Sequence, residues 1–171
     1  MKKILGLVAS LTLISAVCAG VLAYVNEMTK GPISEIKVKQ EQAAVKAVLP
    51  SGVEKVEQTG DFYVGVDASG KTVGYAAKGM SGEGYGGDIV LMVGFRADRR
   101  TLVCYKTLSA SETPGLGMNL NTPEFAGQFA GKDGSALSVK KDGGEIEAIT
   151  SATITSRAVC RAIADAQRKL R

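Results

Sequence analysis

Five hydroxyl side chains fall within seven positions near the C-terminus: Thr150, Ser151, Thr153, Thr155 and Ser156. Ala152 and Ile154 interrupt them, and Glu147 stands three residues ahead of the run. An amphipathic stretch follows, so the run marks a helix entrance. Two readings fit these residue types. In one, a hydroxyl accepts a hydrogen bond from a first-turn amide and caps the helix. In the other, unpaired amides and the positive end of the helix dipole hold a phosphate. Lys140 and Lys141 are close enough in sequence to add charge if the preceding segment lies alongside.

A second cluster is Glu112, Thr113, Pro114, Gly115, Leu116 and Gly117. Pro114 followed by Gly115 favours a tight turn. The small residues would let a flat ring approach the backbone, and Leu116 suits an apolar lid. A third is the glycine-rich segment 78–87, which contains Tyr85. It lacks the Lys-Ser/Thr ending of a P-loop and the spacing of a dinucleotide fingerprint. It reads either as a plain connection or as backbone that approaches a ligand.

Composition narrows the chemistry. The 171 residues include no His, which removes imidazole metal ligands, the commonest general base and any Ser-His-Asp triad. Cys18, Cys104 and Cys160 match no zinc or iron–sulfur spacing. The last two read as buried thiols unless the fold brings them together. The net charge of +4 comes partly from Lys2, Lys3 and the basic tail 168–171, so it defines no basic face. No nucleic-acid-binding pattern is present. If a chain this poor in catalytic side chains does chemistry, a bound cofactor carries it.

The elements that must position these residues follow from patterning. Residues 4–25 are 22 positions without a charge, a helix of about 33 Å that can cross a bilayer core. Lys2 and Lys3 place the N-terminus in the cytoplasm and the rest of the chain outside it. A cleaved signal peptide, cut near 17–19, is the competing reading. The length of the apolar run and its smooth passage into a helical stretch favour a retained anchor. Residues 26–49 read as a juxtamembrane helix with a break or bend at Gly31 and Pro32. Strands are expected over 61–67, 72–77, 88–96, 101–108 and 138–140, with a hairpin turn at 68–71. Thr122 and Pro123 open a short helix, and 155–170 form the last one. Helices at both ends and hairpin-linked strands between them predict an α+β class. A single N-terminal transmembrane helix precedes a domain with a mainly antiparallel sheet flanked by helices. The expected divisions are 1–25, 26–50 and 51–171.

Glu147 together with Thr150, Ser151, Ala152 and Thr153 resembles the flavinylation motif of the FMN-binding domain family, an acidic residue followed after two positions by Ser/Thr-Gly-Ala-Ser/Thr. The cluster from Ser111 to Gly117 resembles the same family's second signature. Both motifs, in order and behind one apolar helix, resemble the G-subunit branch of that family, found in the Rnf ion-translocating ferredoxin:NAD oxidoreductase. The resemblance implies an electron-transfer component of a membrane complex on the outer side of a bacterial inner membrane. It implies FMN joined covalently through its phosphate to Thr153 by a separate flavin transferase that uses FAD. Thr150, Ser151 and Ala152 would be read by that enzyme and surround the phosphate. Glu112, Thr113, Gly115 and Leu116 would lie against the ring. Lys140 and Tyr85 join the set from segments expected to border the pocket. The implied partners are the other membrane subunits, the transferase and lipid around residues 4–25. Two residues depart from the commoner pattern: Glu147 replaces Asp, and Ser151 replaces Gly. The second matters if that position takes positive φ, which Ser tolerates less well. A stand-alone anchored flavoprotein, or an anchored binding module without flavin, are the alternatives.

Overall fold

Residues 55–109 place strand-forming runs between turn residues, and they fold as one antiparallel meander. The computed structural model describes residues 2–171. The strands are β1 (Lys55–Thr59), β2 (Phe62–Val66), β3 (Thr72–Gly84), β4 (Gly87–Arg96) and β5 (Leu102–Ser109), in spatial order β1-β2-β3-β4-β5. Every neighbouring pair is antiparallel, as the α+β expectation requires. Strand period two sends alternate side chains to opposite faces. Tyr75, Ala77, Ile89, Leu91, Val93 and Phe95 face one core, while Ala76 and Met92 face another.

The final helix, α3 (Thr153–Arg168), which follows the short α2 (Pro123–Ala126), covers the first face with Ala158, Val159, Ala162, Ile163 and Ala166. Ile163 and Phe95 are fully buried, and each stabilises the domain by about 1.5–3 kcal/mol through removal from water. Gly79 on β3 makes this approach possible, because a Cβ there would collide with the backbone of Ala162. Tyr105 and Phe129 stack edge to face at 5.5 Å at the far end of the same core, and the Tyr105 hydroxyl donates to the carbonyl of Leu120. On the second face, Ala44, Val45, Val48 and Leu49 pack against Ala76 and Met92.

Those four residues belong to the end of α1 (Lys2–Val48) and the turn after it. The chain divides into two compact units, Met1–Gln40 and Glu41–Arg171. The globular unit thus starts ten residues before the expected boundary at 51, since the last turns of α1 contribute to its core. In the first unit, residues 3–40 expose every side chain, including Leu5, Leu11, Ile14 and Leu22. Its apolar part is long enough to cross a membrane. Side chains of that kind with no protein core to enter are suited to lipid. Helix α1 runs unbroken through Pro32, so the break that Gly31 and Pro32 could have made does not occur: the ring removes one backbone hydrogen bond of the many along the helix.

Three further expectations need correction. The glycine-rich segment is not a loop: β3 continues to Gly84, and β4 resumes at Gly87. Ladder bonds at Lys78↔Met92, Gly79↔Leu91 and Met80↔Val90 outweigh the low strand propensity of glycine. The strand expected at 138–140 is a single parallel bridge, Val139↔Ile146, followed by a 3-10 turn at Lys140–Asp142. Strand β1 was not anticipated, because its sequence is polar and it lies exposed at the sheet edge. Cys104 packs with the α1 core and Cys160 with the α3 core, so the sheet separates them and both are free thiols. Burial pushes the Cys160 thiol up to about 12.

Candidate functional site

The hairpin tip at 84–87, the loop after β5 and the entrance of α3 meet at one cavity of about 480 Å³. The tip contributes Tyr85, the loop contributes Glu112, Thr113, Leu116 and Gly117, and the α3 entrance contributes Ser151, Ala152, Thr153, Ile154 and Thr155. Tyr85, Leu116 and Ile154 are largely exposed, so the mouth has an apolar rim facing solvent.

Glu112 organises the floor. The residue is 7% exposed. One oxygen accepts from the Thr155 hydroxyl at 2.9 Å and the other from the Gly86 amide at 3.3 Å. One buried side chain therefore ties helix, loop and hairpin together. The surrounding glycines follow from it: a Cβ on Gly117 would strike Glu112, and one on Gly86 would strike the carbonyl of Ser111.

The hydroxyls of the α3 entrance have distinct fates. Thr155 is committed to Glu112. Ser156 is fully buried; it accepts from the amide of Ile149 and donates to the carbonyl of Ala152. Neither caps the helix. The N-cap position is Ala152, whose side chain makes no capping hydrogen bond, and among the described residues no other side chain bonds the first-turn amides. Of the two readings of this run, capping is the one the structure removes. Helix α3 also begins two residues earlier than expected, at Thr153, because Thr155 and Ser156 are drawn into the core. Its open N-terminus carries the partial positive charge that favours a phosphate. Thr153, half-buried, is its first residue.

Ser151 sits at φ 60°, the left-handed conformation in which Gly is the usual occupant. The run ahead of it is held from outside. The Gln128 side chain accepts from the Glu147 amide at 2.7 Å and donates to the Glu147 carbonyl at 3.2 Å, much as a neighbouring strand would. The Glu147 carboxylate pairs with Lys140 at 2.8 Å, and this hydrogen-bonded cation lowers its pKa. Asp142, two residues on, forms two bonds with Arg157 of α3, at 2.7 and 2.6 Å. Between them, Lys141 Nζ donates to Thr153 Oγ1 at 3.3 Å.

Of the residues predicted for the site, Tyr85, Glu112, Thr113, Leu116, Ser151, Ala152 and Thr153 line one cavity. Thr150 lies on a neighbouring cleft with Gln128 and Glu147. Gly115 turns the loop at φ 74° without lining the cavity. Lys140 points to Glu147, and Lys141 holds the position beside Thr153 that was open to either lysine. Ile154 and Thr155 line the cavity as well; their places follow from the phase of α3, which its corrected start shifts. Gln128 carries no sequence signal, since it lies far from both motifs.

A family model described as FMN-binding domain matches residues 84–168. The G subunit of the ion-translocating oxidoreductase complex from Methanosarcina acetivorans is 35% identical over 95% of this chain and 92% of its own length. The G subunit of the Na(+)-translocating ferredoxin:NAD(+) oxidoreductase complex of Acetobacterium woodii is 33% identical, over 91% of this chain and 84% of its own. Its counterpart in the proton-translocating ferredoxin:NAD(+) oxidoreductase complex of Clostridium ljungdahlii is also 33% identical, over 96% and 90%. Among solved structures, the C subunit of the Na(+)-translocating NADH-quinone reductase from Parabacteroides distasonis aligns with a TM-score of 0.51 at 22% identity, covering 64% of this chain and 60% of that one. NqrC of Shewanella oneidensis gives 0.50 at 21%, covering 70% and 65%. These two share the fold.

Proposed function

Because the chain belongs to the family of G subunits of ion-translocating oxidoreductase complexes, we propose that it relays electrons within such a complex through FMN held covalently on Thr153. The observation that carries this reading is Thr153 itself, half-buried at the edge of the cavity and first in a helix whose entrance no side chain caps. The residues present fit FMN. The cavity lies within the roughly 300–1,000 Å³ of small-molecule clefts, its rim is apolar, and its phosphate end combines open amides with Lys141. When bound, FMN supplies the redox chemistry, which suits a chain with no His.

The chain's own residues do the rest. Helix α3 and Lys141 would hold the phosphate. Leu116 and Ile154 would shield the ring from water on two sides, and Tyr85 would stand at the exposed mouth. The Glu112 latch fixes the distance between ring site and phosphate site, because it joins the loop to the turn of α3 that begins with Thr153. A covalent bond lets a shallow, open site keep its cofactor outside the cytoplasm, where a dissociated flavin would be lost. Lys2 and Lys3 ahead of the apolar helix favour that placement of the domain.

The test is to express the full chain with its flavin transferase. Denatured protein should fluoresce under ultraviolet light at this chain's mass, and intact-mass spectrometry should show one added FMN. Thr153→Ala should remove both signals while the domain keeps its urea midpoint. An FMN adduct that survives in this variant would assign the bond to another residue, and an unlabelled wild-type chain would refute covalent attachment.

A further inference from the structure

The three residues of the turn at Lys140–Asp142 contact three successive parts of the acceptor region. Lys140 takes Glu147, Lys141 takes Thr153 and Asp142 takes Arg157. The turn is itself pinned, since the amide of Lys140 donates to the carbonyl of Ile146 at 2.8 Å and the amide of Ile146 to that of Ser138 at 3.1 Å. Of the three cations gathered here, Glu147 neutralises Lys140 and Asp142 neutralises Arg157. Among the described residues, Lys141 has no carboxylate partner, and its ammonium rests on the Thr153 hydroxyl oxygen.

The five hydroxyls of the run differ in the same respect. Thr155 and Ser156 are buried with their protons committed. Thr150 and Ser151 are exposed on the loop ahead of the helix. Thr153 alone combines partial burial, the open helix start and a hydrogen bond from an unneutralised ammonium.

We infer that Lys141 selects Thr153 as the flavin acceptor and stabilises the charge that develops on its oxygen during attachment. This rests on the covalent reading above. Attachment forms a bond from Thr153 Oγ1 to the FMN phosphorus of FAD and breaks the pyrophosphate P–O bond. AMP leaves, the hydroxyl proton passes to a base on the transferase, and nothing is oxidised or reduced. A fixed positive charge at the nucleophilic oxygen favours this step, and afterwards it faces the phosphodiester anion.

The experiment uses the full chain in detergent with purified transferase and FAD, following adduct formation by intact mass. Lys141→Ala should slow attachment by about tenfold, Lys141→Glu by more, and Lys141→Arg should recover most of the rate. The gap between wild type and Lys141→Ala should narrow as NaCl is raised, because the missing contribution is an exposed charge. A merely structural role would show no such dependence. Urea midpoints and circular dichroism establish that each variant is folded. Wild-type rates in both Lys141→Ala and Lys141→Glu would overturn the inference. So would an Arg variant no faster than Ala, or a gap insensitive to salt. Absence of any adduct on the wild-type chain would instead overturn the covalent reading on which the inference rests.

Discussion

Ser151 occupies the left-handed region at φ 60° in the middle of the hydroxyl run before α3. A residue other than Gly there costs about 1–2 kcal/mol, partly offset by the greater unfolded-state entropy of Gly. Ser151→Gly should therefore raise the unfolding free energy by up to about 1 kcal/mol. Ser151→Val, whose branched side chain fits this region worst, should lower it by about 2 kcal/mol. Urea denaturation of the two variants beside wild type measures both, and a less stable Gly variant would show that the Ser side chain contributes something the backbone does not need. At the same scale, Cys160 is a thiol pushed up to about 12 by burial, so thiol reagents should modify Cys104 well before Cys160 in the folded protein.

Elements meet at the site through single polar side chains. Glu112 joins the hairpin tip, the loop and α3. Glu112→Ala would leave the Gly86 amide and the Thr155 hydroxyl without their acceptor and should cost about 2–4 kcal/mol. Thr155→Val removes one bond to the carboxylate and should cost about 1.5–3 kcal/mol. Both are read from urea midpoints, and hydrogen exchange at the hairpin tip should accelerate in the Ala variant. Asp133 makes a similar junction away from the cavity. It accepts from the amide and hydroxyl of Ser135 at 2.9 and 2.7 Å and pairs with Arg100 at 2.8 Å. The Ser135 bonds and then Arg100 hold its carboxyl at about 2, against an ordinary 3.8. A folded value below the unfolded one means that this stabilisation is complete above about pH 4 and fades as pH falls through about 2. Exposure and screening keep it small. Asp133→Asn should flatten the loss of stability between those two pH values, as seen in urea midpoints against pH.

At the scale of the whole molecule, a helix long and apolar enough to cross a membrane precedes the globular unit. Lys2 and Lys3 precede the uncharged run and favour a cytoplasmic N-terminus. Protease added to spheroplasts should therefore digest the domain, and protease outside inverted vesicles should reach it only after detergent. The opposite pattern would reverse the topology. Relatives that match this chain over most of their length are named as subunits of a complex. Gentle detergent extraction should accordingly recover the chain with multi-span membrane partners; recovery alone would favour a stand-alone flavoprotein.

Local signals decided much of this protein before any contact was known. The uncharged helix, strands β2 to β5 and their antiparallel order were legible because apolar runs and turn residues act over a few positions. Two short motifs carried the proposed acceptor and the proposed ring loop for the same reason, since each is contiguous. Long-range packing decided the rest. Glycine propensity suggested a loop at 78–87, but pairing with β4 made it strand. The hydroxyl run suggested a cap at the helix entrance, but a carboxylate 43 residues away and the Ile149 amide claimed Thr155 and Ser156. The choice between Lys140 and Lys141 depended on how one 3-10 turn docks against α3 and the run before it. Adjacent residues of a turn point in different directions, and only the docked turn determines which of them reaches Thr153.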